Sequence, residues 1–209
     1  MNKLYRYIAL ATLLFTGCSE YTADVEYVYN IDERIISFVS FNEIHPSAPN
    51  CVSVIWDSET GDGAIGFDEA ITTIPYGIFT GAQGLTSVWL PDGTISINDN
   101  AFASCENLKT ITIPNSVTTI GNAAFKYCSS LKSVTIGNSV TKIGSYAFWN
   151  CSSLTSVYCR ATTPPAGVHN MFKGNVSNRK IYVPMESVEA YKSAKGWSNY
   201  SSYIVGYAF

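Results

Sequence analysis

Charged residues are scarce in this chain of 209 residues. Asp, Glu, Lys and Arg make up 14% of it, against roughly 25% in typical soluble domains. The 13 basic residues are outnumbered by 16 acidic ones, for a net charge of −3. Because no basic stripe is present to follow a phosphate backbone, we expect no nucleic-acid partner.

Groups that could carry catalysis or bind a metal are also few. The two histidines, His45 and His169, have no patterned acidic or nucleophilic neighbour, and the six cysteines lack Cys-x-x-Cys spacing. A nucleophilic or metal site needs several such groups to converge. The sequence therefore predicts no enzyme, no metal and no cofactor.

Long apolar runs are missing, apart from a short one near the amino terminus. Ile8 to Phe15 is almost entirely apolar, follows Lys3 and Arg6, and is followed by small residues and Cys18. The run has about half of the ~20 residues that a membrane-spanning helix needs. The pattern instead predicts a signal peptide over residues 1–17.

The end of this segment, Phe15-Thr16-Gly17-Cys18, resembles the lipobox of bacterial lipoproteins, with Phe15 where Leu is usual. In that family the cysteine sulfur receives a diacylglycerol and the preceding peptide is removed. The resemblance implies that Cys18 is lipidated and anchors the chain at the bacterial outer membrane or cell surface. Removing residues 1–17 leaves 11 basic residues against 16 acidic ones, a net charge of −5.

The middle of the chain repeats with a period of about 23 residues, a length typical of solenoid units. A unit of this size cannot bury its own apolar face, so stacked units must share one core. The sequence predicts a β-rich solenoid of five units, the first and last irregular. The columns that keep the step are Phe79, Phe102, Phe125 and Phe148; Leu85, Leu108, Leu131 and Leu154; Ile74, Ile97, Ile120 and Ile143; and Cys105, Cys128 and Cys151.

Each unit contains four local patterns in succession. Leu-x-x-Ile/Val-x-Ile/Leu alternates apolar and polar residues, which predicts a strand, and Asn or Asp then favours a turn. A second short extended piece follows, such as Val117 to Ile120. We interpret Asn122 to Cys128 as one helical turn that carries Phe125 inward.

The same register predicts the domain organisation. We expect a tether over 18–34, an amino-terminal cap with two strands over 35–63, a solenoid over 64–183 and a carboxy-terminal cap over 184–209. Ala64 to Phe67 would be the first of six strands, and Ile181 and Val183 would mark the sixth. In the last cap we predict a helix from Glu186 to Lys195 that ends at Gly196, followed by residues that seal the core: Trp197, Tyr200, Tyr203 and Ile204.

The repeated unit Leu-x-x-Ile-x-Ile-Pro-Asn-Ser-Val-Thr-x-Ile-Gly-x-x-Ala-Phe-x-x-Cys resembles the BspA-like leucine-rich repeat, which is common in surface lipoproteins of gut and oral anaerobes. The resemblance covers about residues 64–160, and Lys180-Ile-Tyr-Val-Pro resembles the family's usual end. It implies a β-rich solenoid and, for some members, attachment to host proteins or other bacteria. Relative to the family, we expect few repeats and no added adhesive domain.

One exposed strand column suggests where a ligand binds. It runs Gly66, Trp89, Thr112, Thr135, Tyr158, Tyr182, and Arg160 lies beside Tyr158. Exposed aromatic residues and Arg are typical interface anchors, so Trp89, Tyr158, Arg160 and Tyr182 are the candidate ligand-binding residues. Alternatively, Trp89 packs under the amino-terminal cap and Tyr182 under the carboxy-terminal helix. Trp149, beside Lys126 in the turn column, is a second candidate on another face.

Two functions fit these features. The first is a lipid-anchored cell-surface module that binds a protein or glycan in adhesion or host interaction. The alternative is a structural or accessory lipoprotein of a larger transport or glycan-uptake system. We expect Cys105, Cys128 and Cys151 to be buried free thiols, whereas a pairing of Cys51 with Cys159 stays open.

Overall fold

The computed structural model describes residues 35–40, 51–56, 62–67, 70–168 and 170–209. The predicted signal peptide, Cys18, the predicted tether and both histidines lie outside these ranges. Within them, no helix has the length and apolar character needed to cross a membrane.

The described ranges contain thirteen strands, one short α-helix (α1, Val188–Ser193) and two 3₁₀ segments, Met185–Ser187 and Ser198–Tyr203. The strands are β1 (Ile35–Ser40), β2 (Cys51–Trp56), β3 (Asp62–Phe67), β4 (Thr73–Ile74), β5 (Leu85–Trp89), β6 (Ser96–Ile97), β7 (Thr110–Ile113), β8 (Thr119–Ile120), β9 (Ser133–Ile136), β10 (Lys142–Ile143), β11 (Ser156–Cys159), β12 (Lys180–Pro184) and β13 (Ile204–Tyr207).

Two parallel sheets run along the repeat. The long sheet has the order β13-β12-β11-β9-β7, and the short sheet has the order β10-β8-β6-β4. In both sheets paired residues are separated by the period of the repeat wherever it is regular, as for Ile111 with Val134 and Ile97 with Ile120. The predicted solenoid is therefore confirmed, and each sequence column becomes a row of stacked side chains.

The phenylalanine column forms the centre of the core. Successive rings of Phe79, Phe102, Phe125 and Phe148 stack with centroids 5.1 Å apart and nearly parallel planes. Phe172 continues the column at 5.3 Å, although it comes one position later than the regular step predicts, and our sequence analysis missed it. All five rings are buried.

The Ser, Thr and Asn residues link neighbouring units through polar ladders. Thr141 Oγ1 donates to the Thr118 carbonyl, and Thr118 Oγ1 donates to the Ile95 carbonyl, each at 3.2 Å. In the next turn the Ser145 N–H donates to Asn122 Oδ1 at 2.9 Å. These bonds link each unit to the preceding one at exposed positions.

The segment that we interpreted as a helical turn is a pair of tight turns. The Lys126 N–H donates to the Ala123 carbonyl and the Cys128 N–H to the Phe125 carbonyl. Ala123 and Tyr127 have positive φ values of 53° and 63°, which interrupt a right-handed helix. Phe125 nevertheless points inward as predicted.

The cysteine column has a role that the sequence did not indicate. Cys105, Cys128 and Cys151 are buried free thiols, as expected. Each Sγ lies 3.0–3.1 Å from the carbonyl oxygen of the phenylalanine 26 residues earlier, to which it donates. Cys159 is also a free thiol and lies 3.2 Å from the Tyr191 hydroxyl, so it is not paired with Cys51.

The amino-terminal strands pair in antiparallel fashion, whereas the strands of the repeat are parallel. The two strands expected within 35–60 are present as β1 and β2, and β3 covers the predicted strand at 64–67. However, the prediction that this strand is the first rung of the parallel ladder is wrong. β1 lies between β3 and β5 and is antiparallel to both, so it occupies the edge of β5 that an earlier repeat strand would have taken.

The carboxy-terminal residues pack on the end of the core, but their α-helix, Val188–Ser193, is shorter than the predicted Glu186 to Lys195. Trp197 packs 6.0 Å from Phe172 by ring centroids, and its Nε1 donates to the Pro165 carbonyl at 2.7 Å. The predicted helix end at Gly196 is wrong, because the helix ends at Ser193. Gly196 follows in a turn with a φ of +88°, and a Cβ there would meet the Gly167 carbonyl oxygen at 2.5 Å. The cap also adds β13 to the long sheet beside β12, a strand that our sequence analysis missed.

Candidate functional site

The exposed face of the long sheet brings two of the predicted ligand-binding residues together. Tyr158 of β11 and Tyr182 of β12 are directly paired. Their rings stack with centroids 4.7 Å apart and planes 13° apart. The stacking follows from the parallel register, because adjacent strands place side chains of one face about 4.8 Å apart.

Two aromatic residues from the carboxy terminus, one in β13 and one just after it, join this pair. The Tyr207 ring lies edge-on to Tyr158 at 5.6 Å and to Tyr182 at 5.4 Å, and Phe209 lies 5.1 Å from Tyr207. The Arg160 guanidinium is 5.8 Å from the centre of the Phe209 ring. We call these residues the aromatic strand site: Tyr158, Arg160, Tyr182, Tyr207 and Phe209.

Part of this site is open to solvent. Tyr207 is 42% exposed and Phe209 is 50% exposed, while Tyr158 and Tyr182 are half-buried by their ring neighbours. Arg160 is exposed and supplies a positive charge. The arrangement offers stacking surfaces and hydroxyl groups beside a guanidinium, which suits non-covalent recognition.

The sequence contains a signal for Tyr207 and Phe209, which our prediction of the site did not include. The interval from Ile181 to Ile204 equals the step of the whole repeat, and the structure pairs these residues. Extending the ladder by this step would have predicted β13 and placed Tyr207 at the same sheet edge. The prediction of a cap over all of residues 184–209 therefore lacks this strand.

Trp89 is not part of the aromatic strand site. It lies on β5, and Thr112 and Thr135 separate it from Tyr158 in the exposed column, a distance of about 14 Å. Trp89 is 46% exposed, so it is not buried under the amino-terminal cap. Tyr182 packs against rings from β11 and β13, whereas Tyr191 of α1 is directed into the core and donates to the Ala161 carbonyl at 2.7 Å.

A second aromatic group lies on the turns. The Trp149 ring is 5.0 Å from Tyr127 and 5.5 Å from Tyr146 by centroids. Lys126 Nζ lies 4.7 Å from the Trp149 ring centre and 5.0 Å from that of Tyr127. We call Lys126, Tyr127, Tyr146 and Trp149 the turn-face cluster.

Two of the buried thiols are held in the protonated form. Burial raises the pKa of Cys151, and it raises the pKa of Cys159 to about 11. Both thiols therefore stay protonated at neutral pH. Because the nucleophilic form of cysteine is the thiolate, neither thiol is a reactive nucleophile there. Among the described residues, no three His, Cys, Asp or Glu side chains are grouped so that they could hold a metal ion.

The parallel ladders, the regular register and the stacked apolar columns define a leucine-rich-repeat solenoid that carries aromatic surfaces. The chain belongs to the family described as the BspA type leucine rich repeat region, whose model matches six copies over residues 63–192. We predicted five units.

Two solved structures are similar to parts of the chain. The T. pallidum leucine rich repeat protein is 29% identical, with a TM-score of 0.44, over 56% of this chain and 64% of that chain. A leucine rich cell surface protein from Faecalibacterium prausnitzii is 19% identical, with a TM-score of 0.32, over 68% of this chain and 59% of that chain. This chain thus spans less than two thirds of either protein. No curated protein matches it.

Proposed function

We propose that the chain is a binding module displayed on a bacterial surface, lipid-anchored through Cys18, which recognises a protein or glycan through the aromatic strand site. The observation that carries the proposal is the packing of Tyr158, Tyr182 and Tyr207 on an exposed sheet face beside Arg160. The family supports a repeat scaffold for binding. The lipobox-like sequence at Cys18 supports the anchor.

The size of the sheet limits what the site binds alone. Five strands about 4.8 Å apart make a strip about 19 Å long, and strands of three or four residues are about 10–13 Å wide. The strip therefore covers about 200–250 Å², against about 800 Å² that each partner contributes to a standard protein interface. The module binds a small ligand such as a sugar, recruits the neighbouring turns, or acts through many anchored copies.

The binding test compares one copy with many. A soluble form carrying Cys18→Ala and cells displaying the wild-type chain are both assayed against extracellular-matrix proteins and neutral glycans. We expect weak binding by the monomer and stronger retention by the displayed protein, because anchored copies bind together without new contacts. Tyr158→Ala should weaken binding by the monomer and retention by the displayed protein about tenfold or more, the loss typical of an interface anchor.

Thr112→Ala is the matched control, since it alters the same exposed column at a rung without an aromatic ring. Trp89→Ala tests whether the separate tryptophan contributes. Nanomolar binding by the monomer that Tyr158→Ala and Trp89→Ala leave unchanged would contradict both the size argument and the choice of face. Binding to none of these ligands, with capture of a transport or glycan-uptake component instead, would support the accessory function.

The anchor is tested separately. We expect wild-type protein to fractionate with membranes and to carry added acyl mass on Cys18. Cys18→Ala should give an uncut or soluble form, whereas Cys51→Ala should leave fractionation unchanged. Wild-type protein that is wholly soluble and lacks acyl mass would refute the anchor without affecting the binding proposal.

A further inference from the structure

The turn-face cluster contains tyrosines at backbone positions that disfavour them. Two positive-φ columns run through the turns: Gly77, Asn100, Ala123 and Tyr146 in one, and Gly81, Ser104, Tyr127 and Asn150 in the other. Gly and Asn tolerate this conformation, whereas a bulky side chain with positive φ is a steric outlier. Tyr127 has a φ of 63° and Tyr146 a φ of 59°. Both occur where the repeat accepts smaller residues.

Burial does not compensate for this strain. Tyr127 is 37% exposed and Tyr146 is 43% exposed. Their rings instead flank Trp149, and their planes are inclined to it by 45° and 60°. Disfavoured backbone conformations that persist in a fold are concentrated at ligand sites, so exposed aromatic residues held in them indicate a function.

Two lysines lie on the turns at and beside the cluster. Lys126 and Lys173 are the only charged side chains in the turn segments 122–129, 145–152 and 170–177, whereas the preceding turn carries Asp99 and Glu106. The backbone joins both to the rung of Trp149, because the Tyr127 N–H donates to the Trp149 carbonyl and the Asn150 N–H donates to the Lys173 carbonyl, each at 2.9 Å. The ion pair between described residues, Lys192 with Glu189, involves neither lysine. The two charges are therefore available to an anion.

We propose that the turn-face cluster is a second binding site that takes an acidic sugar, a saccharide bearing a uronate carboxylate or a sulfate. Tyr127, Tyr146 and Trp149 contact the apolar C–H faces of the sugar ring, and Lys126 and Lys173 pair with its anionic group. Three rings offer far less area than a protein interface needs, which favours a saccharide over a protein partner. Two lysines neutralise far fewer phosphates than a nucleic-acid-binding protein contacts, which disfavours nucleic acid.

This site goes beyond the proposed function, since it lies away from the aromatic strand site. Its residues flank the buried Phe125 and Phe148 on the turns, whereas Tyr158 and Tyr182 alternate with buried residues of the long sheet. Either site can therefore fail without the other.

The test measures binding of the purified full chain to immobilised oligosaccharides of glucuronate and of glucose, a sulfated oligosaccharide, single-stranded DNA and an acidic peptide. We expect saturable binding to the glucuronate or sulfated oligomer and none to glucose. Tyr146→Gly should weaken it about tenfold or more. Lys126→Gln should weaken it and make it less dependent on salt.

The melting temperature of the variants distinguishes a loss of binding from a loss of folding. Tyr146→Gly relieves a positive φ, so its melting temperature should be unchanged or higher even as binding is lost. Ala123→Gly is the matched control, because it relieves the same column one rung earlier and should leave binding intact. Tyr158→Ala should also leave acidic-sugar binding intact, which separates this site from the aromatic strand site.

Three results would overturn the proposal. One is the absence of saturable binding to any acidic oligosaccharide. Another is binding that is equal in wild-type, Tyr146→Gly and Lys126→Gln proteins. The third is binding to DNA or to the acidic peptide as tight as to the acidic sugars, which would assign the cluster to another class of ligand.

Discussion

Replacing Phe125 by Ala tests the solenoid core at its centre. The ring is fully buried between Phe102 and Phe148, both at 5.1 Å, with planes within 2° of parallel. Truncating a buried phenylalanine costs about 3–5 kcal/mol. Since the ring has an aromatic neighbour on each side, and each such pair is worth about 0.5–1.5 kcal/mol, we expect a loss near the upper end, about 4–5 kcal/mol.

The substitution isolates the ring from the cysteine column. The Phe125 carbonyl that accepts the Cys151 thiol belongs to the backbone and remains in the variant. Urea unfolding followed by circular dichroism measures the effect. With a slope of about 2 kcal/mol per molar urea, the midpoint should fall by about 2 M.

A matched control is available at the surface. Tyr76 is an exposed aromatic residue, so Tyr76→Ala should change the free energy of unfolding by no more than about 0.5 kcal/mol. A loss below about 1.5 kcal/mol in Phe125→Ala would show that the phenylalanine column does not carry the core. Equal losses in the two variants would refute the reasoning outright.

Two further predictions concern the thiols. Cys105, Cys128 and Cys151 should resist alkylation until denaturant is added, as read by mass spectrometry; rapid labelling of native protein, or a mass loss from disulfides, would contradict their burial. Burial raises the pKa of Cys159 from 9.0 to about 11. As the pH rises, the unfolded chain therefore loses the Cys159 proton before the folded chain does. The contribution of the buried thiol to the free energy of unfolding is complete below pH 9 and is lost between about pH 9 and 11. The difference in unfolding free energy between wild type and Cys159→Ala should therefore shrink by about 1.4 kcal/mol by pH 10, and a difference that is constant with pH would refute the assignment.

The repeat was predictable because its signal is local and repeated. Residues of one column, such as Phe102 and Phe125, recur at a fixed interval in the sequence. Because the units stack, residues separated by this interval become neighbours in space. The same interval predicted the exposed column and hence the pairing of Tyr158 with Tyr182. The double turn was not predicted, since its left-handed residues include Ala123 and Tyr127, which give no glycine signal.

The two ends of the solenoid show where sequence reasoning stopped. At the amino terminus the repeat spacing placed residues 64–67 beside β5, but β1 takes that edge in the opposite direction. The direction of the strand at a sheet edge depends on which segment of the chain folds back to pair there. The repeat spacing does not identify that segment. At the carboxy terminus the apolar residues of the cap were expected to cover the core, whereas β13 also extends the sheet.

The sequence by itself determined the solenoid, its register, its buried columns and its family, because each follows from residues that recur at one interval. Only the tertiary structure decided which exposed residues act together. It joined Tyr207 and Phe209 to Tyr158 and Tyr182, left Trp89 apart, and placed Tyr127 and Tyr146 around Trp149. The physical reason is that a buried column is required by the shared core, whereas the grouping of exposed rings depends on how the chain ends and how each turn bends.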